Sequence, residues 1–154
     1  MKGSRVLDLF SGSGSLGIEA LSMGAEEAIF VDNRNACGEA IIHNLSHLKI
    51  CAKGRVIVKD VCKSIKDLYQ KGECFDLIFM DPPYAQGLSR KALQTIDEYD
   101  IVSPHGLIVV SCFYKEEIIT DYKNFSRVHS KQYGQTLVVF FLKRNEKSTL
   151  SRNI

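Results

Sequence analysis

Residues 5–17 read Arg5-Val6-Leu7-Asp8-Leu9-Phe10-Ser11-Gly12-Ser13-Gly14-Ser15-Leu16-Gly17, and their reading decides the fold. The first part is apolar and β-branched, ends in Ser/Gly punctuation, and predicts a buried strand over residues 5–10. Gly12 to Gly17 then match G-x-G-x-x-G. From Ser15 on, Leu16, Ile18, Ala20, Leu21 and Met23 cover one broad face, and Gly24 stands where a C-terminal glycine cap belongs. A helix therefore follows the glycines. Placed between a strand and a helix, a glycine pattern that is weak alone becomes informative.

Outward from this unit, strands and helices alternate. Residues 28–31, 55–58, 75–80 and 106–112 predict strands, and 36–48, 62–69 and 88–99 predict helices. Residues 126–132 and 136–142 flank Tyr133-Gly134-Gln135 and predict a hairpin. Strands separated by helices pair in parallel through right-handed crossovers. The expected fold class is α/β: a doubly wound, mostly parallel sheet with helices on both faces and a C-terminal antiparallel hairpin. Such sheets bind ligands at the carboxyl ends of their strands. The 154 residues fit one domain, expected over 1–143, with a polar tail over 144–154.

Composition narrows the classes. The longest apolar runs, 106–112 and 136–142, fall short of the roughly 20 residues that span a bilayer. The N-terminus lacks a charged region followed by an apolar one, so a cytoplasmic protein is expected. Cys37, Cys51, Cys62, Cys74 and Cys112 are scattered without a C-x-x-C pair, which predicts reduced thiols and no zinc site. His43 and His47 stand four apart without an evident third ligand, so no metal is expected. A net charge of +2 does not by itself demand a polyanionic partner. The basic run Lys143-Arg144-Asn145-Glu146-Lys147, with Arg152 beyond, reads as a solvated end or a nucleic-acid contact.

Glycine at the loop lets backbone approach a ligand closely. Asp32 ends the second strand, 20 residues after Gly12, where a carboxylate can accept both hydroxyls of a ribose. That much suits NAD as well as S-adenosylmethionine. Asp8 favours the second, because an acidic residue beside the loop repels a pyrophosphate and suits a sulfonium and an ammonium. Asp60, ending the third strand, is placed for an adenine amino group, or equally to cap the helix that follows.

The strand at 75–80 runs into Asp81-Pro82-Pro83-Tyr84. Successive prolines fix φ and supply no N–H, leaving carbonyls free to face a ligand. An exocyclic base amine is a poor nucleophile because its lone pair is delocalised into the ring. If the Asp81 carboxylate and the Pro82 carbonyl each accept one N–H, the nitrogen is drawn toward tetrahedral geometry and its lone pair can face a methyl donor. Tyr84 would stack on the base.

With these residues and Ile18-Glu19-Ala20-Leu21 after the loop, the chain resembles the bacterial family that methylates N2 of a guanine in 16S ribosomal RNA, a Rossmann-like class I methyltransferase. The likeness runs over residues 6–142 and takes in Asn44-Leu45, Gly87-Leu88 and Tyr133-Gly134. It implies S-adenosylmethionine as cofactor, lined by Asp8, Phe10, Gly12, Gly14, Asp32, Asn33, Asp60 and Val61. It implies a target site of Asp81, Pro82 and Tyr84, and ribosomal RNA or the small ribosomal subunit as partner. The tetrapeptide is shared with adenine-N6, cytosine-N4 and protein-glutamine methyltransferases, so it specifies an amino group rather than guanine. A DNA adenine-N6 methyltransferase and a non-catalytic cofactor- or ribosome-binding homologue are the alternatives. Members of the family carry an N-terminal arm ahead of the first strand, whereas Val6 is already strand here. The resemblance thus implies a fragment, an internal start or a degenerate homologue, with a cofactor pocket more open than in its relatives.

Overall fold

The computed structural model describes residues 1–84 and 86–145. Its elements are β1 (Arg5–Leu9), α1 (Ser15–Ser22), β2 (Glu27–Asp32), α2 (Asn35–His47), β3 (Gly54–Val58), α3 (Val61–Gln70), β4 (Phe75–Met80), α4 (Leu88–Glu98), β5 (Val102–Phe113), β6 (Phe125–Tyr133) and β7 (Thr136–Lys143). The strands form one sheet in the order β3-β2-β1-β4-β5-β7-β6. β1 to β5 run parallel, and β7 lies antiparallel between β5 and β6. The chain winds one way from β1 to β2 and β3, then returns to place β4 on the other side of β1. This reversal opens a crevice at the carboxyl ends of β1 and β4.

Alternation along the strands sorts the core into two layers. Leu7, Ile29, Ile78 and Ile108 point to one face and pack under Ile65 of α3 and Leu93 and Ile96 of α4. Val6, Ala28 and Phe30 point to the other, under Ala20 and Leu21 of α1 and Ile41 and Leu45 of α2. Burying a side chain such as Phe30 contributes roughly 1.5–3 kcal/mol. The expected cap of α1 is present: Gly24 adopts φ 103°, its N–H donates to the Leu21 carbonyl at 3.1 Å, and the Ala25 N–H donates to that of Ala20 at 3.0 Å.

The structure departs from the sequence reading most at β1 and β5. β1 stops at Leu9, because Phe10 turns into the left-handed region at φ 56°. β5 begins at Val102 rather than near residue 106, with a register shift opposite Phe75 and Leu77 that accommodates Pro104 and a left-handed His105. The tail expected from residue 144 begins docked. The Arg144 N–H donates to the Asn124 carbonyl at 2.8 Å, its Nε donates to that of Tyr122 at 2.9 Å, and its guanidinium pairs with Asp121. Lys143 pairs with Asp100. From Glu146 onward the basic run, including Lys147 and Arg152, lies outside the described residues. Among the described residues no helix is long and apolar enough to cross a membrane.

Candidate active site

A cavity of about 670 Å³ opens at the carboxyl ends of β1, β2 and β4. Phe10, Gly12, Asp32, Asn33, Asp60, Val61, Asp81, Pro82 and Tyr84 line it together, as do Ser13, Arg34 and Leu88. Asp8 and Gly14 do not line it, although the resemblance implied that they would.

The glycine loop explains that split. Gly12 adopts φ 55°, and a Cβ there would meet nothing within 4 Å, so the space beside it is open to a ligand. Farther along, the missing side chains serve packing. A Cβ on Gly17 would stand 2.4 Å from the Phe30 ring, and one on Gly14 would stand 3.1 Å from Ile41. Gly14 thus lets α1 settle on the sheet rather than opening room for a ligand. Behind the loop, Asp8 is buried, and its Oδ2 accepts the Gly17 N–H at 3.0 Å. It secures the first turn of α1, where the helix dipole favours an anion. Burial pushes its carboxyl up to about 7, with a smaller push from the Asp81 and Asp32 charges and an opposing pull from the Gly17 N–H. Asp8 is thus coupled through its charge to Asp81 and Asp32, which line the cavity.

Asp32 is also buried but is better supplied with donors. Its Oδ2 accepts the Gly12 N–H at 3.0 Å, and its Oδ1 accepts the Arg34 N–H at 3.0 Å and Nε at 3.3 Å. Burial alone would raise this carboxyl, but the Arg34 side chain and the two backbone N–H groups outweigh it and hold the group below the usual carboxylate range. An ionised carboxylate has about four lone-pair sites, so with three donors already in place about one site remains for a ligand hydroxyl. Asp60 does cap α3, its Oδ1 accepting the Lys63 N–H at 3.0 Å, while also lining the cavity. Its two readings are compatible.

Asp81 sits where β4 ends, and burial alone shifts its carboxyl upward. Pro82 is buried, whereas Tyr84 is 49% exposed. The Tyr84 hydroxyl lies 2.7 Å from Thr136 Oγ1, and its ring centroid is 6.2 Å from that of Phe113. The loop is thereby tied to β5 and β7. Two supporting contacts were absent from the sequence reading: this Tyr84–Thr136 bond, across 52 residues, and the Asn44 Nδ2 donation to the Ser13 carbonyl at 3.0 Å, across 31. The resemblance includes Asn44 but does not imply this contact. Among the described residues no group of His, Cys, Asp and Glu is arranged to hold a metal ion, and His43 and His47 stack on an exposed stretch of α2.

Residues 1–142 match the family model described as Conserved hypothetical protein 95. The chain belongs to this family. Among its relatives is YlbH of Bacillus subtilis, provisionally named an rRNA methyltransferase, 34% identical over 142 residues that cover 92% of this chain and 77% of that one. Ribosomal RNA small subunit methyltransferase D of Escherichia coli is 31% identical over 132 residues, 86% of this chain and 65% of that protein. The chain thus spans about two thirds of the latter's length. A solved conserved hypothetical protein of Streptococcus pyogenes shares 26% identity and aligns with TM-score 0.85, covering 94% of this chain and 88% of its own. SMU.776, described as a methyltransferase complexed with SAH, has the same fold at TM-score 0.68 and 21% identity, covering 92% of this chain and 45% of its own. The fold is the Rossmann-like class I methyltransferase that the sequence led us to expect.

Proposed function

We propose that this chain transfers the methyl group of S-adenosylmethionine to the exocyclic N2 amine of a guanine in 16S ribosomal RNA, in the cytoplasm, on RNA that is naked or within the small subunit. The observation that carries the reading is that the glycine loop after β1 and Asp81-Pro82-Pro83-Tyr84 after β4 line one cavity. The residues suit the cofactor. The volume, about 670 Å³, is that of an ordinary ligand pocket. Asp32 stays ionised with a free acceptor site for a ribose hydroxyl, Gly12 leaves room for close approach, and Asp32, Asp60 and Asp81 together favour a cation. When bound, the cofactor supplies an electrophilic methyl group on sulfur.

The chain's own residues then prepare the amine. The Asp81 carboxylate and the Pro82 carbonyl each accept one N–H, which localises the nitrogen lone pair and aims it at the donor. The Tyr84 ring stacks on the base, and its hydroxyl on Thr136 sets the ring's tilt. The names of the Bacillus subtilis and Escherichia coli relatives support RNA as the acceptor. The motif supports an amino group, and guanine N2 rests on the family likeness. The test supplies methyl-labelled S-adenosylmethionine with naked 16S rRNA, assembled small subunits or DNA, followed by nucleoside analysis. Label in N2-methylguanosine is the expected result. Label in DNA adenine, or cofactor binding without transfer to any acceptor, would overturn the reading.

A further inference from the structure

A row of side chains leads away from the cavity across the hairpin. Phe113, Thr136 and Tyr133 are direct cross-strand partners on β5, β7 and β6, so they share one face of the sheet. Tyr84 joins the row from the cavity side through its hydroxyl on Thr136 and its ring beside Phe113. The row therefore begins at the target loop and ends at the hairpin tip, where Tyr133 is 58% exposed. Three strands set the outer backbones roughly 10 Å apart, whereas stacked bases rise only about 3.4 Å per nucleotide. The row can hold more than one base.

Its charges have matching positions. Lys131, two residues before Tyr133 and hence on the same face, holds its Nζ 5.0 Å from the Tyr133 ring centroid. Lys115 holds its Nζ 5.6 Å from that of Tyr114, which meets Phe113 edge-on at 5.0 Å. Lys143 and Arg144, by contrast, are taken up by Asp100 and Asp121. Half-exposed aromatic rings interleaved with ammonium groups are the means by which single strands are bound: every base has a face to stack, and every phosphate attracts a cation.

We infer that this row is a track for unpaired RNA nucleotides that flank the methylated base, with bases on Tyr84 and Tyr133 and phosphates at Lys131 and Lys115. The track rests on the proposed RNA substrate and extends its site from the target base to its neighbours. Continuity with the target loop favours RNA over a protein partner for this face.

The test measures binding of a labelled, unstructured RNA of about twelve nucleotides, within the range of single-strand site sizes, to the full chain by fluorescence anisotropy. Tyr133→Ala combined with Lys131→Ala is expected to weaken binding at least about tenfold. Lys131→Ala alone is expected to lower the slope of log affinity against log salt by about 0.7. Val128→Ala, on the same strand but outside the paired row, is expected to bind as the wild type. Calorimetry with S-adenosylmethionine and a melting curve should show the double variant folded and cofactor-competent.

Methyl transfer to 16S rRNA, read in parallel, separates this inference from the proposed reaction. If the wild type methylates rRNA and the double variant shows unchanged RNA affinity and KM, the track is overturned and the reaction stands. If the wild type binds the oligonucleotide, the double variant does not, and neither transfers a methyl group, the reaction is overturned and the row stands as a single-strand RNA site. A wild type with no affinity for the oligonucleotide overturns the track.

Discussion

The two walls of the cavity are built in opposite ways. On the β1–β2 side, carboxylates hold backbone: behind the wall Asp8 takes the Gly17 N–H, and in the wall Asp32 takes those of Gly12 and Arg34 while keeping an acceptor site for the cofactor. On the β4 side, Asp81 is shifted by burial alone, and the prolines beside it have no N–H to satisfy. The first wall is assembled before any ligand arrives, so damage there should weaken the fold and cofactor binding together. The second keeps its acceptors for a substrate amine, so damage there should weaken chemistry while sparing the fold.

The sharpest break of that comparison is Asp81→Ala. Removing one of two acceptors aimed at the amine should cost about 3–4 kcal/mol of transition-state stabilisation, or about 10² to 10³ in rate. Single-turnover methylation at saturating cofactor and RNA reads this, and a thermal melt should show little change. Asp81→Asn should be milder, since its amide oxygen still accepts one N–H. Wild-type rates from Asp81→Ala would remove the tetrapeptide from the chemistry.

Asp32→Ala is the counterpart on the first wall, and it should move two readouts at once. Each charge-assisted hydrogen bond lost to the cofactor is worth roughly 1.5–3 kcal/mol, and the Gly12 and Arg34 N–H groups also lose their acceptor. We expect weaker cofactor binding by calorimetry together with a lower melting temperature. A lower melting temperature with unchanged affinity would reduce Asp32 to a structural role.

These contrasts were only half legible in the sequence. The alternation of residues 5–98 carried the parallel half because local periodicity dictates each strand and helix. β4 begins and ends where the pattern put it. The glycine spacing and Asp32 were readable because the chemistry needs them within one βαβ unit. The backbone role of Asp8 also had a signal: a period of two along β1 sets it on the Val6 side, beneath α1. The start of β5 was hidden by Pro104, which reads as a strand breaker but here sits at a bulge. The Tyr84–Thr136 bond depends on how β7 inserts beside β5, and no local pattern encodes that.

Asp8 gives the comparison a pH axis. Its carboxyl titrates near 7 in the fold and near 4 in an unfolded chain. A raised acid favours the folded state while protonated, so its contribution is fully present below about pH 4 and is lost as pH rises through about 7. Asp8→Asn keeps an acceptor for the Gly17 N–H without the charge. The variant's stability relative to wild type should therefore grow between about pH 4 and pH 7, reaching about 4 kcal/mol, and level off above. Parallel melting curves for the two proteins across that range would show Asp8 to be mainly ionised at neutral pH without strain.

The smallest expected effect concerns the hydrogen bond that ties the second wall to the hairpin. Tyr84→Phe keeps the ring that stacks on the base and removes only the hydroxyl that meets Thr136 at 2.7 Å. Because Tyr84 is half-exposed, water can take over the freed partner, so the loss should sit near the low end of about 0.5–1.5 kcal/mol for a hydrogen bond. That predicts a KM for RNA raised about two- to fivefold, and much less than the effect of Tyr84→Ala, which also removes stacking worth about 1–3 kcal/mol. Thr136→Val cuts the same bond from the other end and should match Tyr84→Phe. If one bond accounts for both, the double variant should be no worse than either single one, the non-additivity expected of residues in direct contact. Additive effects in that cycle would mean that Phe113 and the prolines alone fix the ring, and that the target wall is as free of the hairpin as the rest of its acceptors are of the fold.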